Sequence, residues 1–77
     1  MSSELPPLPE SPRFGELWQH AKGGVYKCLG MAYVESTLEI AVVYHDGKNI
    51  WVRPHAEFMD RFRFLVPSDE TMQWGKA

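Results

Sequence analysis

Hydrophobic and polar positions along this chain alternate in short runs, with a period of two residues and turn-forming clusters between them. The cleanest run is "LEIAVVYH", residues 38 to 45. Leu38, Ile40, Val42 and Tyr44 line one face, and Glu39, Ala41, Val43 and His45 line the other, the signature of a half-buried strand. "HDGKN" follows, and Asp46-Gly47 is a strong hairpin signal because such turns need a positive φ. "IWVR", residues 50 to 53, then returns as the paired strand. Small β-branched Ile50 and Val52 suit a narrow core, which sends Trp51 and Arg53 to the outside or the rim. On that assignment Glu39 shares the side of Trp51 and Arg53, and an Arg53 pair with Glu39 or Glu35 would account for the guanidinium as structure.

Upstream, "GELWQH" (residues 15 to 20) predicts a first strand and "AKGG" (21 to 24) a turn. "VYKCLGMAYV", residues 25 to 34, predicts a long strand, and Gly30 inside it marks a bulge or sharp bend. Downstream, Pro54 ends the fourth strand, and "HAEFMDRF" is too short for an independent helix, so it predicts one helical turn. "FRFLV", residues 62 to 66, alternates again as a last short strand. The expected fold is therefore all-β: a small five-stranded SH3-like barrel with a short helical turn before the last strand. Closing the sheet would remove the edges that so small a domain otherwise exposes. The alternative is an open antiparallel sheet that completes itself by dimerising.

The barrel domain spans residues 14–66. Before it lies a Pro-rich arm, residues 1–13, with four of the six prolines. Its Pro6-x-x-Pro9-x-x-Pro12 spacing is a polyproline II pattern, but the basic residue that flanks SH3 ligands is badly placed, so a solvated, disordered arm is expected. Residues 67–77 form a C-terminal tail, whose Trp74 is a candidate to fold back on the domain.

Composition narrows the function classes. A chain of 77 residues allows one domain. Its net charge of −2 argues against an extended nucleic-acid footprint, yet leaves room for one small anion. The single cysteine, Cys28, excludes an internal disulfide, and no apolar run reaches membrane-span length. The first ten residues carry neither a basic region nor an apolar stretch, so no secretion signal and a cytoplasmic location are expected. His20, Cys28, His45, Asp46 and His55 lack the close paired spacing of zinc motifs, so neither metal nor cofactor is expected. Cys28 sits inside a strand as a small apolar residue, and His45 beside Asp46 is a hairpin end.

From Gly15 to Phe64 the chain resembles a family of small bacterial and phage domains of unknown function, numbered 1653. The resemblance rests on "WQHAKGGVYKCLGMA", "ESTLEIAVVY" and "WVRPHAEF" taken in order. It points to Trp18, His20, Lys22, Gly23, Tyr26, Thr37, Glu39, Tyr44, Trp51, Arg53, Pro54 and Phe58. The chain departs from the family pattern in three places. Trp18 stands where tyrosine is usual, Glu35 and Ser36 are transposed, and the segment from Tyr44 to Trp51 is shorter.

His20-x-Lys22-Gly23 joins a titratable ring, a cation and a glycine pair, which with Arg53 suits a phosphate or carboxylate. The expected site is an aromatic and basic patch of Trp18, His20, Lys22, Gly23, Glu39, Tyr44, Trp51 and Arg53. The expected function is a non-catalytic binding module for a small anionic ligand or a peptide segment. No membrane or extended nucleic acid is expected as a partner. Alternatives are a phage-type protein that sequesters a nucleotide or metabolite, and a homodimeric interaction subunit anchored by Trp51 and Phe58. An enzyme using His20 as a general base lacks an accompanying nucleophile, so no catalysis is expected.

Overall fold

The computed structural model describes residues 5–67. Its elements are β1 (Leu17–His20), β2 (Val25–Tyr33), β3 (Ile40–His45), β4 (Ile50–Pro54), α1 (His55–Arg61) and β5 (Phe62–Val66). The strands form one antiparallel sheet in the order β4-β3-β2-β1-β5. Gly30 bends β2, as its place in the strand predicts. The register with β3 shifts between Cys28 and Gly30, and Gly30 has φ 137°, a torsion that side-chain-bearing residues rarely adopt. A Cβ at Gly30 would meet nothing within 4 Å, so the torsion itself is the constraint there.

The sheet is not closed. Its ladder ends at β4 on one side and β5 on the other. The reason lies at the end of β4, where Pro54 has no N–H to donate and the chain passes directly into α1. Seven residues cannot hold a helix by their own backbone bonds. No side chain caps its first turn, although Glu57 and Arg61 have the right signs for its two ends. What holds α1 is Phe58, whose ring is fully buried and stacked on Phe62 at 4.1 Å. Trp18 and Tyr44 pack against the same ring, each at 5.3 Å. Phe58 thus packs α1 against β1, β3 and β5, the strands that carry Trp18, Tyr44 and Phe62. Its burial also rules it out as an anchor at an interface between copies.

Trp18, Cys28, Val42, Tyr44, Phe58 and Phe62 make the core, with Tyr26 and Met31 packed at its margin. In β3, Val42 and Tyr44 point inward as expected, but Leu38 lies before the strand, with φ 63° and its side chain exposed. In β4 the expected faces are reversed. Trp51 lies opposite Tyr44 and Arg53 opposite Val42, and directly opposed residues share a face. Trp51 and Arg53 are therefore on the core side, while Ile50 and Val52 are 66% and 64% exposed on the other. The register comes from the turn: residues 46 to 49 close the hairpin, so His45 meets Ile50 and every later pair follows.

Residues 5–13 have no helix or strand and most of them are exposed, with a few points of attachment to the domain. Pro12, after a cis peptide bond, is fully buried. The Tyr33 hydroxyl donates to the Pro6 carbonyl, and His55 Nε2 lies 2.9 Å from the Ser11 carbonyl. Residues 1–4 and the tail from 68 onward, Trp74 included, lie outside the described residues.

Two substitutions separate these faces. Phe58→Ala is expected to cost roughly 3–5 kcal/mol, about all that a core this small supplies, and to leave the chain largely unfolded. Val52→Thr is expected to change stability by no more than about 0.5 kcal/mol. Urea denaturation of both variants checks this, and a Val52→Thr loss matching that of Phe58→Ala would contradict the register.

Candidate functional site

The reversed β4 face places Trp51 and Arg53 at the open margin of the core, beside the turn that joins β1 to β2. That turn is tightly bonded. The His20 amide donates to the Gly24 carbonyl at 3.1 Å, and Gly23 donates back to His20 at 2.8 Å. Gly23 adopts φ 99°, so the torsion the turn needs, not a lack of space, favours glycine there. The Lys22 amide donates to His20 Nδ1 at 2.9 Å. The neutral imidazole therefore carries its proton on Nε2. The Ala21 amide donates to the Arg61 carbonyl at 2.8 Å and ties the turn to the end of α1.

Between the turn and β4 runs a groove of about 440 Å³. His20, Lys22, Gly23, Tyr44, Trp51 and Arg53 all line it, so it gathers most of the residues expected from the sequence. Tyr26 and Phe62 complete the lining. Its walls are rings packed edge to face. His20 meets Phe62 at 4.8 Å, Tyr26 meets Tyr44 at 5.5 Å, and Tyr44 meets Phe62 at 5.1 Å.

Two expected residues lie elsewhere. Trp18 is only 4% exposed, its indole N–H donates to Glu16 Oε1 at 3.1 Å, and its ring packs on Phe58 and Phe64. It is a core residue. Glu39 is exposed at the far end of β3, where its amide donates to Thr37 Oγ1 in the turn that links β2 to β3. That turn role accounts for Thr37 as well. Phe62 was not legible beforehand, because it enters the groove through pairing opposite His20 across a long stretch of chain.

Arg53 is held on three sides. Its Nε donates to the Tyr44 hydroxyl at 3.2 Å, and its Nη1 lies 3.6 Å from Glu57 Oε1. Its guanidinium sits over the Phe62 ring, 5.7 Å from the centroid. The partner is thus Glu57, one helical turn on, rather than Glu39 or Glu35. The Tyr44 hydroxyl, followed by nearby negative charge, raises the guanidinium pKa further. Arg53 is thereby a built part of the groove wall.

Trp51 is half exposed, yet it too is tethered. Its indole N–H donates to Asp46 Oδ2 at 3.3 Å. The other oxygen, Asp46 Oδ1, accepts from the amides of Lys48 and Asn49, each at 2.8 Å. One carboxylate therefore closes the hairpin and fixes the ring. The amides of Asn49 and Lys48, more than the indole, pull the Asp46 pKa down to about 2.

The remaining titratable candidates do not converge. The Cys28 thiol is buried, burial pushes its pKa up, and its Sγ accepts from the Gly30 amide at 3.3 Å. His45 has its pKa lowered, by burial first and then by Lys27. Among the described residues, no three His, Cys, Asp or Glu side chains come close enough to share a metal ion, and no helix is long and apolar enough to cross a membrane.

Asp46 carries a pH prediction. Its folded pKa lies below the unfolded value of about 3.9, so the stabilisation it brings is complete above that value and is lost as pH falls through about 2. The Trp51 indole N–H resonance is expected to hold still from neutral pH down to about 4 and to move with a midpoint near 2. A midpoint at the ordinary aspartate value would show that the Lys48 and Asn49 amides do not hold the carboxylate.

No curated protein and no solved structure matches the chain. Residues 16–65 match the family described as "Protein of unknown function (DUF1653)", a span that covers β1 through Leu65 and every residue lining the groove. The chain is a member of the DUF1653 family.

Proposed function

We propose that this protein is a non-catalytic binding module whose ligand is a small anion with a flat body, held in the groove between β4 and the His20–Gly23 turn. The observation that carries this reading is Trp51. A tryptophan left 46% exposed yet tethered by Asp46 is a rigid flat surface facing outward from an aromatic wall. Lys22 and the Nε2 of His20 supply polar groups beside it. A nucleotide or metabolite sequestered from solution is the narrower form of the same reading, and a peptide segment is a further occupant that the test distinguishes. The strand order, with β1 between β2 and β5 and a helical turn after β4, supports reading the fold as an SH3-like barrel packed around Phe58.

The test is an amide NMR fingerprint of the full chain, titrated with pooled nucleotides and metabolic anions. Shifts are expected at Trp51, Tyr26, Tyr44 and the His20–Gly23 turn. Trp51→Ala is the variant to compare, because Arg53 also braces Tyr44 and Glu57 and its loss would disturb the fold. Removing the ring is expected to weaken binding about tenfold. Unchanged affinity in Trp51→Ala would sink the reading.

A second reading is favoured by the outer strand β4. Ile50 and Val52 are exposed there on an unpaired sheet edge, which suits association with a second copy. Sedimentation at high concentration is then expected to give a dimer that Ile50→Lys abolishes. A monomer at millimolar concentration would remove this reading.

A further inference from the structure

A second recess, of about 620 Å³, lies on the other side of the His20–Gly23 turn. It shares His20, Lys22, Gly23 and Phe62 with the aromatic groove, so the two recesses meet at one common wall. The rest of its lining comes from Gln19 of β1, Ala21 of the turn and the junction of α1 with β5.

The chemistry of the two recesses differs. In the aromatic groove the guanidinium of Arg53 is already engaged by Tyr44, Glu57 and the face of Phe62. In the second recess Lys22, Arg61 and Arg63 face a single carboxylate, Asp60. Arg61 is the cation that Asp60 answers, with Nε 3.5 Å from its Oδ2. Arg63 donates to the neutral Gln19 amide oxygen at 3.4 Å, which leaves its charge uncompensated. The Lys22 ammonium makes no hydrogen bond or ion pair among the described residues. Excess positive charge is thus concentrated here, on a chain whose net charge is −2. An oxyanion is drawn to this recess rather than to Arg53, and a flat apolar body to the ring-walled groove next door.

We infer that the two recesses form one bipartite site, for a small molecule that joins a flat ring to a phosphate-type oxyanion. The ring lies against Trp51 and Tyr26, and the oxyanion lies among Lys22, Arg61 and Arg63. His20, in the wall common to both, offers Nε2 to the linking atoms, since Nδ1 is occupied by the Lys22 amide. This assignment rests on the groove being a ligand site and adds the class of ligand.

The experiment uses the full chain, with phenol, inorganic phosphate, phenyl phosphate and adenosine monophosphate as separate probes, read by amide and indole NMR. The two phosphate esters are expected to shift the Trp51 indole and the amides of Lys22, Gly23 and Arg63 together. They are expected to bind about tenfold tighter than phenol or inorganic phosphate alone, because linked fragments gain effective concentration. Arg61→Ala with Arg63→Ala, neither of which lines the aromatic groove, is expected to remove that advantage while leaving the phenol shifts at Trp51 intact. Both side chains are exposed, and the unchanged Trp51 indole resonance reports that the double variant is folded. Raising the salt should weaken the esters and spare phenol. If the double variant binds the esters as tightly as the parent, the bipartite site is overturned and the aromatic groove stands. If no probe moves Trp51, both readings fall.

Discussion

The stacked pair of Phe58 and Phe62 is the contact on which the rest of the molecule depends. An open five-stranded sheet of so few residues has two raw edges and little apolar area to bury. Phe58 comes from a helix too short to stand alone, and Phe62 begins the strand that follows it. When the two rings stack, the helix, β5 and the inner face of β3 are locked by one contact. The same stack puts Phe62 at the floor of the groove, under Arg53 and beside His20. Core and candidate site are therefore not separate regions. They share a ring, and any ligand that presses on the groove presses on the element that holds the fold together.

Most of the fold was legible in the sequence, because its signals are local. Period-two alternation, the Asp46-Gly47 turn, the glycine inside β2 and the proline after β4 each act within a few residues, and each element stands where they place it. The inner face of β4 does not follow from its own residues. Alternation distinguishes two faces without saying which is the inner one, and small β-branched residues are only a weak guide. A better signal was present. The hairpin turn occupies residues 46 to 49, so Trp51 must oppose Tyr44, and Tyr44 belongs to a face already recognised as apolar. Register carried through the turn outweighs side-chain preference. The open edges of the sheet were beyond reach, since whether the two outer strands pair is a tertiary choice.

The candidate site was legible to a comparable degree. Its residues cluster in the chain at the turn after β1 and in the hairpin of β3 and β4, and both ends converge on one groove. The family resemblance points to both Trp18 and His20, and the two lie two residues apart on the same inward face of β1. Depth along that face divides them: Trp18 meets Phe58, whereas His20 is at the rim. Phe62 and the cations near it enter through the pairing of the first and last strands, which no local pattern reveals.

The carboxylate of Asp46 has a further consequence. A flexible surface tryptophan would lose rotational freedom each time it met a partner, and that loss would weaken every encounter. Here the ring is already oriented by a residue whose other oxygen holds the hairpin closed, so the ordering is complete before any partner arrives. The angle at which the indole is presented is thus set by the geometry of a loop, not by the groove itself. Lengthening or shortening that loop would re-aim the ring without altering a single residue of the wall.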